Sequence, residues 1–512
     1  MLDSVIIDKL YACLLDLCHD PDYDFGKFSG KWGYKGSQAY QDKYIDFLKS
    51  IQHLAKAVPV KTPEGRDDEF YMYDGKIYVQ VRRELISAAY DQLLIYLRVS
   101  PMIGNRSICD RYFINIIGYY NKFSPRPDLV AFKNGVLDLR EYRFYDFNPR
   151  FHVTYYHPYE YNEKAQCPKW LGFLHEVLPD KNARLILQMF LGLGLMERGS
   201  VYNPYEGKNT PKVELCLILL GPGGNGKSTI SNTALGIFGK ERISELDYDD
   251  LTAPGDEGMR ARVLLRDAIF NWSQDSDYRT FGKKRSGVFK RLVSGEGVTS
   301  RKLGKDVEEN CNMPFLIFNL NDLPYSDDQS LGFIRRLQFI SFEQVIPKER
   351  QNPALSNELI AEYPGIFNWI MRGARELKRR KFVFPSSEGS KRQMLLAQLK
   401  ISPVAAWMNA YHICYEPQTV SDPGRWMHTK VLMESLSRFC VDNGECTVTK
   451  QKFGQAMART GKGFAKKHQI DGNYYLVFGC DEERLTHPYV IQSEDMMVED
   501  WNERNSYIQE DD

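Results

Sequence analysis

The segment that most limits how this chain folds is Val213–Gly239, VELCLILLGPGGNGKSTISNTALGIFG. An apolar run with no polar alternation reads as a strand buried on both faces, the kind found in parallel sheets covered by helices. It breaks at Gly221 into a glycine-rich stretch, and helical spacing begins near Lys227. Gly221, Gly223, Gly224 and Gly226 let backbone N–H groups curl inward, and the positive end of the helix adds to them. The spacing matches G-x-x-x-x-G-K-[ST] at every fixed position from Gly221 to Ser228. In that pattern Lys227 reaches the β- and γ-phosphates and Ser228 offers its hydroxyl to Mg²⁺. Asn225 and Thr229 complete the binding stretch. ATP and Mg²⁺ are the implied ligands. The reaction stays open, because kinases and motors share this loop.

Residues downstream narrow it. A hydrolase of this kind needs an acid at the tip of a neighbouring strand. The candidate strand is VLLRDAIFNWSQDSD, Val263–Asp277, with Asp275 favoured as the catalytic and metal-binding acid and Asp277 second. Asp267, at its start, reads as surface charge. PFLIFNLNDLP is a further apolar strand ending in Asn319, Asn321 and Asp322, and an amide there is placed to hold attacking water. GFIRRLQFISF sets Arg335 and Arg336 before a third strand, where an arginine could act on a neighbouring subunit's nucleotide. Between the first two strands, Lys290, Arg291, Arg301, Lys302 and Lys305 stand close together against Glu296.

A chain of 512 residues exceeds what one core serves, so several domains are expected. Its formal net charge is zero, so any affinity for nucleic acid must come from local patches. The ten cysteines fall in no metal-binding spacing and read as buried thiols of a reducing compartment. No stretch is apolar for the roughly twenty residues a membrane span requires. The N-terminus carries Asp3, Asp8 and Asp16 through its apolar positions, which suits an amphipathic helix rather than a secretion signal. An intracellular, cytoplasmic protein with no membrane partner is expected.

Asp74-Gly75 predicts a two-residue hairpin turn, and residues 81 to 122 read as helices. Short strands follow, with a turn at Asn134-Gly135. Helical spacing resumes at CPKWLGFLHEV. The break FPSSEGSK precedes a C-terminal unit of helices and a hairpin around Asp471-Gly472, the pattern of a winged helix carrying Lys452, Lys462, Lys466 and Lys467. The final twenty residues hold eight acids against Arg504 and read as a disordered tail.

Order and spacing together carry a resemblance that no single motif could. VAFKNGVLDL, CPKW and LILQMFLGLGL, then the phosphate loop, VFKRLVSGEGVTSRKLGKD, FNLNDLP, RRLQFISF and GIFNWIMRGARELKRRKFVFP follow one another as in the superfamily 3 helicases. The chain resembles in particular their poxvirus, phage and plasmid primase-helicase family. The resemblance implies an α/β, AAA+-like P-loop ATPase core with an N-terminal α+β/helical region and a C-terminal winged-helix domain. The implied domains are an N-terminal domain at 1–128, a helical domain at 129–205, the ATPase core at 206–345, a helical lid at 346–397, the winged helix at 398–482 and the acidic tail at 483–512. It makes Lys227 and Ser228 the Walker A pair, Asn321 the sensor, and Arg336, before Arg335, the arginine finger. It puts Arg301, Lys302 and Lys305 on a hairpin facing DNA in the channel of a homo-oligomeric ring, a hexamer moving 3′→5′ on single-stranded or forked DNA. A separate primase, polymerase or single-strand-binding protein would be its partner in replicating a phage, plasmid or mobile element.

There are two departures. SQDSD offers no glutamate at the acid position, and about 130 N-terminal residues are short for a primase, with no paired metal-binding acids. The first favours an alternative, an ATP-dependent origin-binding initiator or scaffold that hydrolyses weakly.

Overall fold

Leu10, Leu14, Phe47, Ile51 and Leu54 recur at helical spacing along the N-terminal segment, and all lie in one apolar cluster. The computed structural model describes residues 2–18, 28, 37–58, 60–63, 69–96, 98, 106–124, 126, 128–196, 213–274, 285–304, 306–310, 313–323, 331–417, 422–444, 447–459, 463–491, 493 and 497–499. The chain divides into two units, Met1–Asn162 and Glu163–Asp512.

In the first unit, helices α1 (Leu2–Cys18), α2 (Gln38–Ala57), α3 (Arg83–Tyr96) and α4 (Arg106–Tyr120) accompany a sheet of order β3-β2-β1-β4. Its strands are β1 (Val60–Pro63), β2 (Phe70–Tyr73), β3 (Tyr78–Val81) and β4 (Lys122–Phe123). The Asn121 amide donates to the carbonyls of Ala55 and Val60, at 2.9 and 3.0 Å, tying α2 to the sheet. The β2–β3 hairpin forms, but Tyr73 pairs with Tyr78, so its loop has four residues rather than two. The Asp74 carboxylate explains this, accepting from the N–H groups of Lys76 and Ile77 at 2.8 and 2.9 Å. Strands β5 (Leu129–Phe132), β6 (Gly135–Asp138) and β7 (Arg143–Tyr145) form an antiparallel meander, with Phe132 opposite Gly135, so the turn falls on Lys133-Asn134, one residue before the pair expected. The unit boundary at Asn162 therefore falls inside the span 129–205, whose first part is sheet and whose second part is helix.

In the second unit α5 (Pro168–Val177) and α6 (Lys181–Gly192) precede a five-stranded parallel sheet. Its strands are β8 (Cys216–Leu220), β9 (Ile243–Ser244), β10 (Phe270–Ser273), β13 (Phe315–Leu320) and β14 (Leu337–Ser341), ordered β14-β8-β13-β10-β9. Between them lie α7 (Lys227–Phe238), α8 (Tyr248–Thr252), α9 (Gly255–Ala261), α10 (Ser286–Val293), the hairpin β11 (Val298–Ser300) and β12 (Glu308–Asn310), and α11 (Leu331–Ile334). Every residue of β8, β10 and β13 is buried, as the apolar runs required. The strand expected from Val263 begins only at Phe270. Arg262–Leu265 forms a 3-10 turn, because the buried Arg262 guanidinium donates to the carbonyls of Ala253, Leu251 and Thr299 at 3.0, 3.2 and 3.1 Å.

Helices α12 (Leu355–Ile360), α13 (Tyr363–Arg379), α14 (Glu388–Ile401) and α15 (Pro403–Ala410) follow. Helices α6 and α13 approach closely: a Cβ on Gly373 would lie 2.1 Å from the Gln188 carbonyl oxygen, and one on Gly192 would lie 2.5 Å from the Ala374 nitrogen. The C-terminal part contains β15 (Arg425–His428), α16 (Thr429–Asp442), α17 (Lys450–Arg459), β16 (Lys466–Gln469), β17 (Gly472–Val477) and α18 (Glu482–Thr486). One continuous apolar core runs from Ile218, Phe318 and Phe339 through Leu396 to Trp407, Phe439 and Phe453, and α14 crosses the expected boundary at 397.

The tail expected from 483 is corrected. Leu485 and Met497 are buried, the Tyr489 ring lies against Tyr411 and Phe439, and Met497 accepts a 2.9 Å hydrogen bond from Asn409. Apolar residues spaced among the acids anchor that stretch. Residues 500–512 lie outside the described set. Among the described residues no helix is long and apolar enough to cross a membrane.

Candidate active site

The sheet's five strands are parallel, so their carboxyl ends share one edge. The order reverses around β8: its outgoing chain leads through α7 to the far strand β9, while the chain leaving β13 crosses back to β14. Ligands of open parallel sheets bind at such a reversal, beyond the carboxyl ends of the strands. The glycine-rich loop is there. Gly221 donates to the Leu320 carbonyl at 3.1 Å and has φ +155°, and a Cβ on it would sit 2.4 Å from the Phe342 carbonyl oxygen. Gly223 is exposed. Gly224, at φ +76°, accepts from Ile346 at 3.1 Å. Gly226 holds a left-handed φ of +87° as the residue before α7, and a Cβ there would meet Phe173 and Val177 of α5 at 2.8 and 3.0 Å. Helix α5 is held in turn by Glu362, whose carboxylate accepts from the N–H groups of Lys169 and Trp170 at 3.0 Å each.

Lys227 is buried. Its ammonium donates to the carbonyls of Gly221 and Pro222 and to Asn225 Oδ1, the last two at 3.0 and 3.1 Å. Burial pulls its pKa down to about 8. The buried Asn225 amide also donates to the Phe342 carbonyl at 3.4 Å, fixing the oxygen that meets the lysine. Ser228 is exposed on the first turn of α7 and Thr229 is half-buried beside it. The first-turn N–H groups of a helix have no intrahelical acceptor. The loop thus offers free donors and a cation held only by oxygens that an anion could replace, so these residues fit a polyphosphate. The exposed Ser228 hydroxyl fits Mg²⁺.

Asp275, Asp277 and Lys305 lie outside the described residues. What the structure puts at the tip of β10 is Gln274. Its Oε1 accepts from Ser231 Oγ at 3.0 Å, and its Nε2 donates to Glu245 Oε1, beyond β9, at 3.5 Å. The Ser231 hydroxyl lies equally close to the Ser228 carbonyl, at 3.0 Å, so its one proton is shared between the two oxygens and a polar chain links the start of the helix after β8 to a carboxylate at β9, three strands along the sheet. Neither Gln274 nor Glu245 was singled out from the sequence. Both are the residues that immediately follow strands β9 and β10.

Asn321 is exposed directly after β13, one residue past the carbonyl that receives the Gly221 N–H. Asn319 is 3% exposed, and its Oδ1 accepts from Trp272 Nε1 at 3.1 Å. Indole only donates, so this contact fixes the amide orientation and leaves Nδ2 as a buried donor with no partner.

Arg335 and Arg336 precede β14 and so lie at the opposite edge of the sheet, about 16 Å from the loop by the length of the paired strand β8. Neither can reach its own chain's loop. The two arginines, of which the resemblance put Arg336 first as the finger, differ in their surroundings. Arg336 is committed internally: its guanidinium pairs with Glu214 at 3.2 Å and donates to Ser294 Oγ and the Gly332 carbonyl, at 3.1 and 2.5 Å. Arg335 is exposed and carries no ion pair among the described residues.

In the β11–β12 hairpin Thr299 pairs with Glu309. Its tip carries exposed Lys302 and Leu303, the latter 82% exposed, while Arg301 pairs with Asp256 at 3.4 Å. Arg291 is also engaged, donating to the Gly297 carbonyl at 2.5 Å.

Comparison with known proteins follows this geometry. Residues 121–179 match the family model described as D5 N terminal like, and residues 219–336 match a family of unknown function, DUF5906. Among solved structures the chain is similar to the apo structure of the NrS-1 C terminal region, at 11% identity and a TM-score of 0.49, over 84% of this chain and 98% of that one. A second form, the A form apo structure of the same region, gives 11% identity and 0.47 over 82% and 96%.

Proposed function

We propose that this chain is an ATP-dependent, ring-forming DNA helicase or translocase of the superfamily 3 type, serving replication of a phage, plasmid or other mobile element. The observation that carries the reading is the loop Gly221–Ser228, with Lys227 buried among exchangeable oxygens at the carboxyl edge of a parallel sheet. The D5 N terminal like match at 121–179 supports the family, and the order helix, strand, helix, helix, strand, strand from α15 through β15, α16, α17 and β16 to β17 supports a winged helix.

In this reading Gly221, Gly223, Gly224, Asn225, Gly226 and Thr229 shape the cradle, and Lys227 neutralises the phosphates. Mg²⁺, when bound, spreads the charge of the phosphate oxygens, with Ser228 and Asp275 to hold it. Asn321 stands at the tip where attacking water is held. Arg335 acts on a neighbour's nucleotide, because its own loop is out of reach and Arg336 is committed. Lys302, Arg301 and Lys305 follow the DNA backbone by charge. A hexamer in the cytoplasm, moving 3′→5′ on single-stranded or forked DNA with a separate primase as partner, completes it. The test is ATP hydrolysis with and without single-stranded DNA: stimulation that Lys227→Ala abolishes is expected, and DNA-independent phosphate transfer to a small molecule would refute it.

One observation favours a second reading, a weakly hydrolysing origin-binding initiator. The described tip of β10 carries the Gln274 amide where a carboxylate would polarise water.

A further inference from the structure

The sheet β15-β17-β16 has two unlike faces. Met427, Tyr475 and Val477 alternate onto one and are buried in the core. The register puts Trp426, His428, Tyr474, Leu476 and Lys467 together on the other, where none is buried and Trp426 is 40% exposed. The Lys467 ammonium lies 4.5 Å from the Trp426 ring centre and 5.4 Å from that of Tyr474. His428 meets Tyr474 edge-on at 4.9 Å.

This face is held rigid. His428 Nδ1 accepts from the Lys430 N–H at 3.1 Å, which leaves Nε2 to donate to the Asp471 carbonyl at 3.1 Å. The Tyr474 hydroxyl donates to the Asp471 carboxylate at 2.5 Å. The hairpin turn is therefore fastened to β15, and its tip residue, Ile470, is fully exposed.

We propose that this face binds single-stranded DNA by base stacking on Trp426 and Tyr474. Fixed rings lose little freedom on binding, and every base has a face to stack, so the site takes sequence without preference. Sheets presenting aromatic side chains recognise single strands in this way. Lys467 covers the ring face that a base would take, and its flexible stem lets the ammonium move to the adjacent phosphate. Lys430, two residues past His428 at the start of α16, adds a cation beside it. Of the acids near this face, Asp481 is paired with Arg425 at 3.8 Å, and the Asp471 carboxylate points into the turn, where it accepts from Tyr474. A protein partner would have no need of the cation over the indole. A duplex would offer no open base face to it. The inference rests on the reading of the chain as acting on DNA, and it adds a grip separate from the β11–β12 hairpin.

The experiment uses the full chain and fluorescein-labelled oligo-dT, read by anisotropy without nucleotide, beside a blunt duplex. Stacking at two rings predicts that Trp426→Ala with Tyr474→Ala weakens oligo-dT binding at least tenfold, while Trp426→Phe stays within about threefold. Lys467→Ala is expected to lower the slope of log affinity against log salt by about 0.7. Photocrosslinking to a halogenated uracil strand should mark the Trp426 or Tyr474 peptide. Unchanged affinity in the double variant, or equal loss on duplex and single strand, overturns the proposal. If Arg301→Ala with Lys302→Ala weakens oligo-dT binding and the aromatic variants do not, this face is refuted and the helicase reading survives. If the unaltered chain has no affinity for single strands, both fall.

Discussion

Replacing Arg336 and Arg335 by alanine, one at a time, separates a structural arginine from a functional one. Arg336→Ala removes the donors reaching Ser294 and Gly332 and the ion pair between Arg336 and Glu214. Ser294 is 1% exposed, so stranding its hydroxyl costs about 1–3 kcal/mol. Glu214 is about a third exposed, and losing its pair adds less than about 1 kcal/mol after solvent screening. The sum is about 1–4 kcal/mol, or roughly 1–6 °C in melting temperature for a unit running from Glu163 to Asp512. Arg335 touches nothing comparable, so Arg335→Ala should leave stability within about 0.5 kcal/mol. As an arginine finger, its loss should lower kcat by about 10³ or more. Calorimetry and ATP turnover on both variants read this out, and a mixture of Arg335→Ala and Lys227→Ala chains should recover activity that neither has alone. If Arg336→Ala melts like the parent and loses turnover while Arg335→Ala hydrolyses normally, the assignment is wrong.

Three further outcomes follow from the geometry. With the free Lys227 ammonium near 8, nucleotide affinity should be level below about pH 7 and fall toward tenfold per unit above 8, measured by calorimetry; the nucleotide-free fold should gain stability from about 8 toward 10.4, where the unfolded lysine still holds its proton. Gln274→Glu should raise ATP turnover if a strand-tip carboxylate is what the site lacks, by up to the 10²–10⁴ of a general base, with about 1 kcal/mol of repulsion from Glu245 at 3.5 Å in a water-like dielectric; unchanged turnover points instead to an acid already supplied by Asp275. Gly373→Val should prevent the α6–α13 packing and yield little folded protein, whereas Gly172→Ala, whose Cβ meets nothing within 4 Å, should fold normally.

The strand, glycine-rich turn and helix start around Gly221–Ser228 were legible because their signal is local: an apolar strand, glycines where φ is positive, and a helix start all lie within twenty-odd residues of sequence. The sheet's buried strands were legible for the same reason. What sequence could not supply was whatever depends on a distant partner. Val263–Leu265 look like a strand until Arg262 ties three carbonyls and curls them. Arg335 and Arg336 are equivalent in sequence, and only Glu214 and Ser294 tell them apart. The acids around Leu485, Tyr489 and Met497 hid the apolar anchors that seat that stretch. Asn319 and Asn321 differ by burial because β13 ends between them, a boundary their spacing does not reveal.

The most direct test of the central claim is unwinding of forked DNA with one labelled strand and tails of defined polarity, in the presence of ATP and Mg²⁺. The account predicts displacement that requires a 3′ tail, rises with ATP turnover, and disappears in Lys227→Ala. Displacement from a 5′ tail alone, or none at all while ATP is being hydrolysed, would contradict it.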